Sequence, residues 1–397
     1  MILALSGLTG LVAGIGAAQA VVAARLVARF ARQPRRPPAS RPPITVLKPM
    51  HGDEPLLEEA LASLCQQNYP AYQIVCGVQS PSDAAIAVID RVRQRFPNHD
   101  IGLVINPTLH GRNHKVGNLI NMLPSARHDV LVIADSDIHA RPDYLDRLAA
   151  ALLQPNVGLV TTLYAGLPAK PVLAARLAAS QITHIFLPSA VLARRLGRSD
   201  CLGATMVLRR EHLTRIGGLH ALVDHLADDN VLGRRISALG LRVALADTVP
   251  LTTVPETSFF AVFRHELRWA RTIRALEPAG FAASILQYPL FWAILTIALS
   301  GLALWSLDLL LIAWVLRAAA AMAIDKVLWR TWRSNDKARL AFSCPVWLLP
   351  LRDILSVIVL LASYAGRSVD WRGQTMHADT PARSYGATSP TEDTSTR

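Results

Sequence analysis

Asp135 and Asp137 stand one residue apart in Asp135-Ser136-Asp137, directly after the apolar run Val130-Leu131-Val132-Ile133-Ala134. A buried strand is therefore expected to end in two carboxylates. Side chains alternate along a strand, so positions i and i+2 share a face. Two hard oxygen donors on one face suit a divalent ion, Mg2+ or Mn2+, carrying a nucleotide diphosphate. An isolated D-x-D is more often a solvated strand end, so the reading rests on what accompanies it.

Four further constellations accompany it. Asp83 closes the loop Val78-Gln79-Ser80-Pro81-Ser82-Asp83. Its carboxylate can accept from a base N–H, or simply stabilise a first helical turn. His110-Gly111-Arg112-Asn113-His114-Lys115 is a basic, glycine-containing run before a helix. Helix N-termini favour anions, so Lys115 can neutralise a departing diphosphate; an exposed basic loop is the plainer alternative. Asp228-Asp229-Asn230 opens another helix. Adjacent carboxylates there are often caps, but one held near other acids keeps a raised pKa and works as a base. In His265-Glu266-Leu267-Arg268-Trp269, positions 265, 268, 269 and 272 share a helical face. Arg268 can hold phosphate oxygens bidentately, and Trp269 can stack on a sugar or an acceptor. The same helix also reads as an interfacial amphipathic element, and the two readings can hold on different faces.

These residues need a frame, and the pattern supplies one. Strands are predicted at 44–49, 72–78, 101–105, 130–134, 157–163, 201–208 and 241–245. Helices are predicted at 55–67, 84–96 (with Ser82 as its cap), 115–123, 144–153, 211–216, 229–239 and 259–276. Strands alternating with helices imply an α/β domain, Rossmann-like, with a mostly parallel sheet covered on both faces. Ligands then bind beyond the carboxyl ends of the strands, where Asp83 and the D-x-D lie.

The 397 residues carry a mean hydropathy of +0.29, and the apolar excess is segregated. Residues 2–24 hold no charge, enough for a bilayer-crossing helix of roughly 20 residues. Further apolar stretches run over about 281–307, 309–324 (interrupted by Arg317) and 346–365 (interrupted by Arg352 and Asp353). The expected organisation is a membrane helix at 1–30, a basic Pro-rich linker at 31–43 and a catalytic domain at 44–278. That domain ends in an interfacial helix at 259–276, and a membrane region with about three helices at 279–366 and a disordered tail at 373–397 follow it. Gly10 and Gly14 hint at helix packing.

The net charge of +12 comes from 41 Lys and Arg against 29 Asp and Glu. Its distribution argues against nucleic acid as a partner. Arg25, Arg29, Arg32, Arg35, Arg36 and Arg41 follow the first apolar helix, and Lys326, Arg330, Arg333, Lys337 and Arg339 precede the last. Such juxtamembrane clusters mark a cytoplasmic side and attract anionic lipid. Positive charge after the apolar core, rather than before it, favours an uncleaved anchor over a signal peptide. A multi-pass protein of the inner membrane with a cytoplasmic catalytic domain is therefore expected. The four cysteines (Cys65, Cys76, Cys201, Cys344) form no C-x-x-C, which gives neither a zinc motif nor a disulfide frame.

The order is a carboxylate after strand two, a basic loop, D-x-D, an acidic pair, then R-W, then membrane helices. In this order the chain resembles the membrane-bound inverting glycosyltransferases of the GT-A fold, family 2 and especially family 21. The resemblance spans about 44–281. Val46-Leu47-Lys48-Pro49, Val78-Gln79, Lys115-Val116-Gly117-Asn118-Leu119 and Asp135-Ser136 are similar to ceramide glucosyltransferases. The runs from His114 to Pro124, Ile133 to Ile138 and Phe263 to Arg274 resemble the bacterial hopanoid-associated branch.

What the resemblance implies is specific. Asp83 and Asp135 match the first and second family aspartates, which hold the nucleotide, and Asp137 completes the metal-binding pair. Asp229 matches the third, the general base, with Asp228 beside it on the acceptor side; Arg268 and Trp269 match the terminal R-W and join the nucleotide-sugar site. Lys115 joins the donor site, and His265 falls on the acceptor side, where family 21 usually has Gln or Arg. The implied reaction moves one sugar, glucose or N-acetylglucosamine, from a UDP-sugar to a lipid hydroxyl in a single inverting displacement. A hopanoid polyol is the expected acceptor and ceramide the alternative. A processive polysaccharide synthase would carry more membrane helices, and a non-catalytic scaffold would have lost an acidic position.

Overall fold

The computed structural model describes residues 2–34, 37–332, 338–366, 368–371 and 374–377. Arg35, Arg36, Arg333, Lys337 and the tail beyond 377 lie outside the described residues.

The strands are β1 Ile44–Pro49, β2 Tyr72–Val78, β3 Ile101–Ile105, β4 Val130–Ala134, β5 Ile138–His139, β6 Val157–Thr161, β7 Ala165–Pro168, β8 Thr205–Arg209, β9 Arg242–Leu245, β10 Leu251–Val254, β11 Ser368–Trp371 and β12 Gln374–His377. The catalytic-side helices are α2 Leu57–Cys65, α3 Ala85–Arg95, α4 His114–Met122, α5 Tyr144–Leu152, α6 Leu173–Gln181, α7 Leu187–Arg195, α8 Arg210–Arg215, α9 Asp228–Ala238 and α10 Phe259–Leu276. The remaining helices are α1 Ile2–Ala31, α11 Pro278–Ala283, α12 Pro289–Leu299, α13 Leu304–Thr331, α14 Ala338–Ala341 and α15 Leu349–Ser363.

The main sheet has seven strands in the order β3-β2-β1-β4-β8-β6-β9. β1 pairs in parallel with β2 and β4, β2 with β3, and β6 with β9; β8 alone runs antiparallel, between β4 and β6. Successive side chains of one strand enter opposite cores, as the period of two requires. Val46, Ile74 and Val132 meet Leu61, Ile89 and Leu148 of α2, α3 and α5. Their neighbours Leu47, Val75 and Ile133 meet Val116, Leu119 and Leu232 of α4 and α9. Two covered faces explain why β1 and β4 read as continuous apolar runs.

Several expectations need correction. Ser82 does not cap α3: the helix begins after Ala84, and Asp83 Oδ1 takes the Ala85 N–H at 2.9 Å. The sixth strand ends at Thr161 rather than 163, and β8 starts at Thr205 rather than 201. Residues 173–195, given no element from sequence, form α6, a π-helical turn at Ile182–Phe186 and α7. A second small sheet, β5-β10-β7, was likewise not foreseen. Its strands are two to four residues long, too short to show a periodicity. The tail expected to begin at 373 instead contributes β12, paired antiparallel with β11.

On the membrane side, α1, α13 and residues 346–363 are long and apolar enough to cross a bilayer. The stretch at 281–307 is not one straight helix. It bends by 64° between Gln287 and Pro289, so it is a broken span or a re-entrant loop. Proline at the start of α12 cannot continue the preceding helical hydrogen bonds. Gly10 of α1 packs against Leu309 and Trp305, but Gly14 faces open space; the close contact belongs to Gly16, beside the Leu286 carbonyl and Pro289. The charges that interrupt these stretches are paired. Arg317 Nε lies 3.7 Å from Asp353 Oδ1, and Arg352 grips Glu266 of α10 through two bonds of 2.7 and 2.6 Å. Arg41, the last of the arginines that follow the first apolar helix, instead forks onto Asp146 of α5 at 2.7 and 2.9 Å.

Candidate active site

The D-x-D lies in a turn, not on a strand. β4 stops at Ala134, and the turn is closed by Ile138 N–H donating to the Asp135 carbonyl at 3.3 Å. The two carboxylates do not share a strand face, because different neighbours claim them. Lys115 Nζ sits 2.6 Å from Asp135 Oδ1. Thr252 of β10 donates to Asp137 Oδ2 at 2.6 Å, and the Thr253 N–H donates to the Asp137 carbonyl at 3.1 Å. Below them Lys48, fully buried at the end of β1, donates to the Asp135 carbonyl at 2.9 Å. The Ser136 hydroxyl donates to the Glu54 carboxylate.

Burial, then the charge of Asp135, pushes the Asp137 carboxyl up to about 6. Asp135 keeps 35% of its side chain exposed, so a ligand can reach it. Oxygen donors only, with one carboxyl raised by its neighbour's charge, fit a hard divalent cation.

Lys115 is placed by α4. Asn113 caps that helix, its Oδ1 accepting from Val116 N–H at 3.1 Å. The same side chain donates to the His225 carbonyl at 2.8 Å and reaches Asp228 Oδ1 at 3.4 Å. Asn118 donates to the Gly77 carbonyl of β2 at 2.7 Å. A Cβ on Gly77 would fall 2.3 Å from Met122 Sδ, so only glycine lets α4 lie this close to the strand.

Asp228 and Asp229 are the first residues of α9, whose N-cap position, Ala227, has no side-chain cap bond. Asp229 Oδ1 accepts from the Asn230 N–H at 2.7 Å. Burial, then Asp228, pushes the Asp229 carboxyl up to about 7; burial also raises Asp228. Burial would lower the Lys115 pKa, but Asp135, Asp228 and Asp229 together raise it above its ordinary value. Lys115 thus bridges the D-x-D and the acidic pair. Gly203, in the loop before β8, leaves room for Asp229: a Cβ there would lie 3.1 Å from Oδ2.

Asp83 is engaged elsewhere on the same sheet edge. Its Oδ1 accepts from the Gly52 N–H at 2.8 Å, and its Oδ2 lies 3.4 Å from His51 Nδ1. Gly52 has φ +72°, the left-handed turn that aims this N–H at Asp83. Asp83 therefore fastens the loop after β1 to the loop after β2.

The R-W helix α10 reaches the acids through an aromatic row. His265 and Trp269 rings meet edge to face at 4.8 Å, Trp269 and Phe186 lie 6.4 Å apart, and Phe186 and Tyr164 4.8 Å. Burial, then Asp229, Asp135 and Asp137 in turn, raise the Tyr164 phenol. His265 Nδ1 also shares a hydrogen bond with Glu256, whose carboxyl is lowered by that partner against the effect of burial, with Arg268 adding to the lowering.

Sequence reasoning missed Lys48, Glu54, Asn113, Tyr164 and Thr252 as site residues. A lysine inside an all-buried strand and an asparagine just before a helix were available signals. Tyr164 and Thr252 sit in the small sheet and offered none.

The glycosyl transferase family 21 model matches residues 9–383. Ceramide glucosyltransferase 3 of Caenorhabditis elegans is 23% identical over 350 residues, 85% of this chain and 73% of the relative. Ceramide glucosyltransferase 1 of the same organism is 23% identical over 257 residues, 63% of this chain but 54% of the relative's length. A ceramide glucosyltransferase of Komagataella phaffii is 31% identical over 113 residues, 28% of this chain and 22% of the relative. Among solved structures, the mannosyltransferase PcManGT from Pyrobaculum calidifontis, in complex with GDP-Man and Mn2+, is 22% identical with a TM-score of 0.49, covering 89% of this chain and 99% of that one. A match over nearly the whole chain, joined to the sheet order and the acids at its edge, leaves one conclusion: the chain belongs to glycosyl transferase family 21 and is a membrane glycosyltransferase of the GT-A fold.

Proposed function

We propose that this protein transfers one hexosyl group from a UDP-sugar to a hydroxyl of a ceramide-type lipid, with inversion at the anomeric carbon. The observation that carries the reading is Asp229, a buried carboxyl raised to about 7 beside the Lys115–Asp135 pair. A carboxyl near neutrality can take the acceptor proton at physiological pH. Lys115 would offset the charge of the departing diphosphate, with Arg268 on the membrane side. A divalent ion held by Asp135 and Asp137, Mg2+ or Mn2+, would supply charge stabilisation to the same phosphates. Asp83, by ordering the loops after β1 and β2, serves the nucleotide. Asp228 tunes Asp229, and His265 with Trp269 faces the acceptor. Alignment and charge stabilisation suffice, so no covalent enzyme intermediate is invoked.

The acceptor is assigned from the relatives, which are ceramide glucosyltransferases. They favour the ceramide alternative over the hopanoid polyol expected from sequence, and glucose over N-acetylglucosamine. A greasy acceptor also accounts for α10 leading into the membrane helices, with Phe259 and Phe260 exposed at its start. The basic residues after α1 favour a cytoplasmic catalytic side.

Membranes containing the protein should be incubated with labelled UDP-glucose or UDP-N-acetylglucosamine and with ceramide or hopanoid polyol. A labelled hexosylceramide, identified by mass, supports the proposal. Product only with the hopanoid polyol would replace the acceptor, and no product with any lipid would sink the reading.

A further inference from the structure

Away from the catalytic edge, three side chains of different elements converge where α13 meets the segment before α15. They are His184 in the π-helical turn, Asp325 near the end of α13, and Cys344. A ring nitrogen of His184, a carboxylate oxygen of Asp325 and the Cys344 sulfur all lie within 4.8 Å of one another. His184 and Asp325 are buried and Cys344 is partly so. His184 Nε2 faces Asp325 Oδ1 at 2.8 Å, and the Cys344 N–H donates to Asp325 Oδ2 at 2.8 Å. On the far side of the ring, His184 Nδ1 meets the Ser180 hydroxyl at 3.1 Å.

We propose that His184 Nε2, Asp325 Oδ1 and Cys344 Sγ form a binding site for a zinc-class transition metal, separate from the D-x-D. Nitrogen, carboxylate and thiolate are the three donors zinc takes, and three protein ligands with one open position make a complete coordination pattern. Thiolate excludes the hard ions suited to the D-x-D. Ser180 gives Nδ1 a hydrogen-bond partner on the far side of the ring, so a metal that displaces the Nε2 proton finds the imidazole already oriented. The Cys344 amide orients Asp325 in the same way. A tetrahedral ion with bonds of about 2.0 Å spaces its ligand atoms about 3.3 Å apart, so on entry His184 and Asp325 separate by about half an ångström and the sulfur, within 4.8 Å of both, adjusts toward them. An imidazole–carboxylate pair alone would use two of the groups and leave the sulfur's position without a reason. His184 and Cys344 also line a cleft with Arg176, Ser180 and Ser343, which gives an ion a way in. An ion there fastens α13 and the start of the last membrane segment to the α6–α7 segment that carries Phe186.

Cobalt separates this site from the D-x-D, because only a thiolate gives a sulfur-to-cobalt charge-transfer band. The full chain, purified in detergent with a non-thiol reductant and stripped of metal, is titrated with Co2+. The expected result is a near-ultraviolet charge-transfer band saturating at about one equivalent, with visible bands of tetrahedral strength, both erased by added Zn2+. The band should vanish in Cys344→Ser and persist in Asp137→Asn. Ser180→Ala, which removes no ligand, should weaken cobalt binding by about 10- to 100-fold. Absence of the band in the natural protein, or its survival in Cys344→Ser, overturns the proposal. Circular dichroism of Cys344→Ser verifies that it is folded; should it not be, His184→Gln takes its place with the same expected loss.

Discussion

The catalytic edge and the membrane-facing core treat buried charge in opposite ways. Around α10 and α15, two buried acids each face an arginine: Glu266 is held by Arg352 through two short bonds, and Asp353 lies beside Arg317. At the sheet edge, Asp135, Asp228 and Asp229 all act on Lys115, and the buried Lys48, bonded to the Asp135 carbonyl, offsets part of the charge of Asp137. A matched, forked pair is rigid and chemically quiet. An excess of carboxylates raises proton affinities and prepares the site for an incoming cation and a transferable proton. Glu266 and Asp353 each face a buried arginine, whereas burial and neighbouring carboxylates hold Asp137 and Asp229 at a raised proton affinity.

Substitutions sharpen this contrast. Asp229→Asn removes the proposed base and should lower transfer by about 100- to 10,000-fold, with UDP binding by calorimetry near normal. Full turnover in that variant would break the contrast at its centre. Glu266→Gln leaves Arg352 buried without its charge partner and should cost about 3–5 kcal/mol of stability, read as a lower thermal midpoint in detergent. The double variant Glu266→Leu/Arg352→Met should recover most of that loss; if the single and double changes are equally harmful, the pair is not acting as a closed unit.

The pH profile tests the catalytic half alone. Asp229 must be unprotonated to accept a proton, and its carboxyl sits near 7. Transfer should therefore plateau above that value and fall about tenfold for each unit below it. A flat profile from pH 5 to 8 would remove Asp229 from the rate-limiting proton transfer. The smallest effect is expected at Gly203→Ala, where the new methyl carbon presses on Asp229 Oδ2 at 3.1 Å. A shift of a few tenths of an ångström should reduce kcat about two- to fivefold while leaving KM for UDP-sugar unchanged. A larger effect on KM than on kcat would mean the loop before β8 touches the donor instead.

Much of the frame was legible because local periodicity and burial agree there. β2, β3 and β4 and the helix α10 fall at the expected positions, since a short apolar run bounded by polar residues or a helical apolar face leaves few alternatives. The small sheet, the π-helical turn and the bend before α12 were not, because each is decided by what packs against it. The acids of the site were legible by type and order, but not by geometry. Asp135 and Asp137 were expected on one strand face, yet Lys115 and Thr252 draw them to different partners in a turn.

Residue chemistry and chain order by themselves determined that this is a membrane-tethered α/β protein with acids at its strand ends and an R-W helix before its last membrane segments. Only the folded chain decided which charges are neutralised and which stay in excess. A carboxyl's proton affinity depends on burial and on neighbours within a few ångströms, and those neighbours arrive from residues far away in sequence. The same holds for His184, Asp325 and Cys344, which no spacing rule could join because three separate segments bring them together.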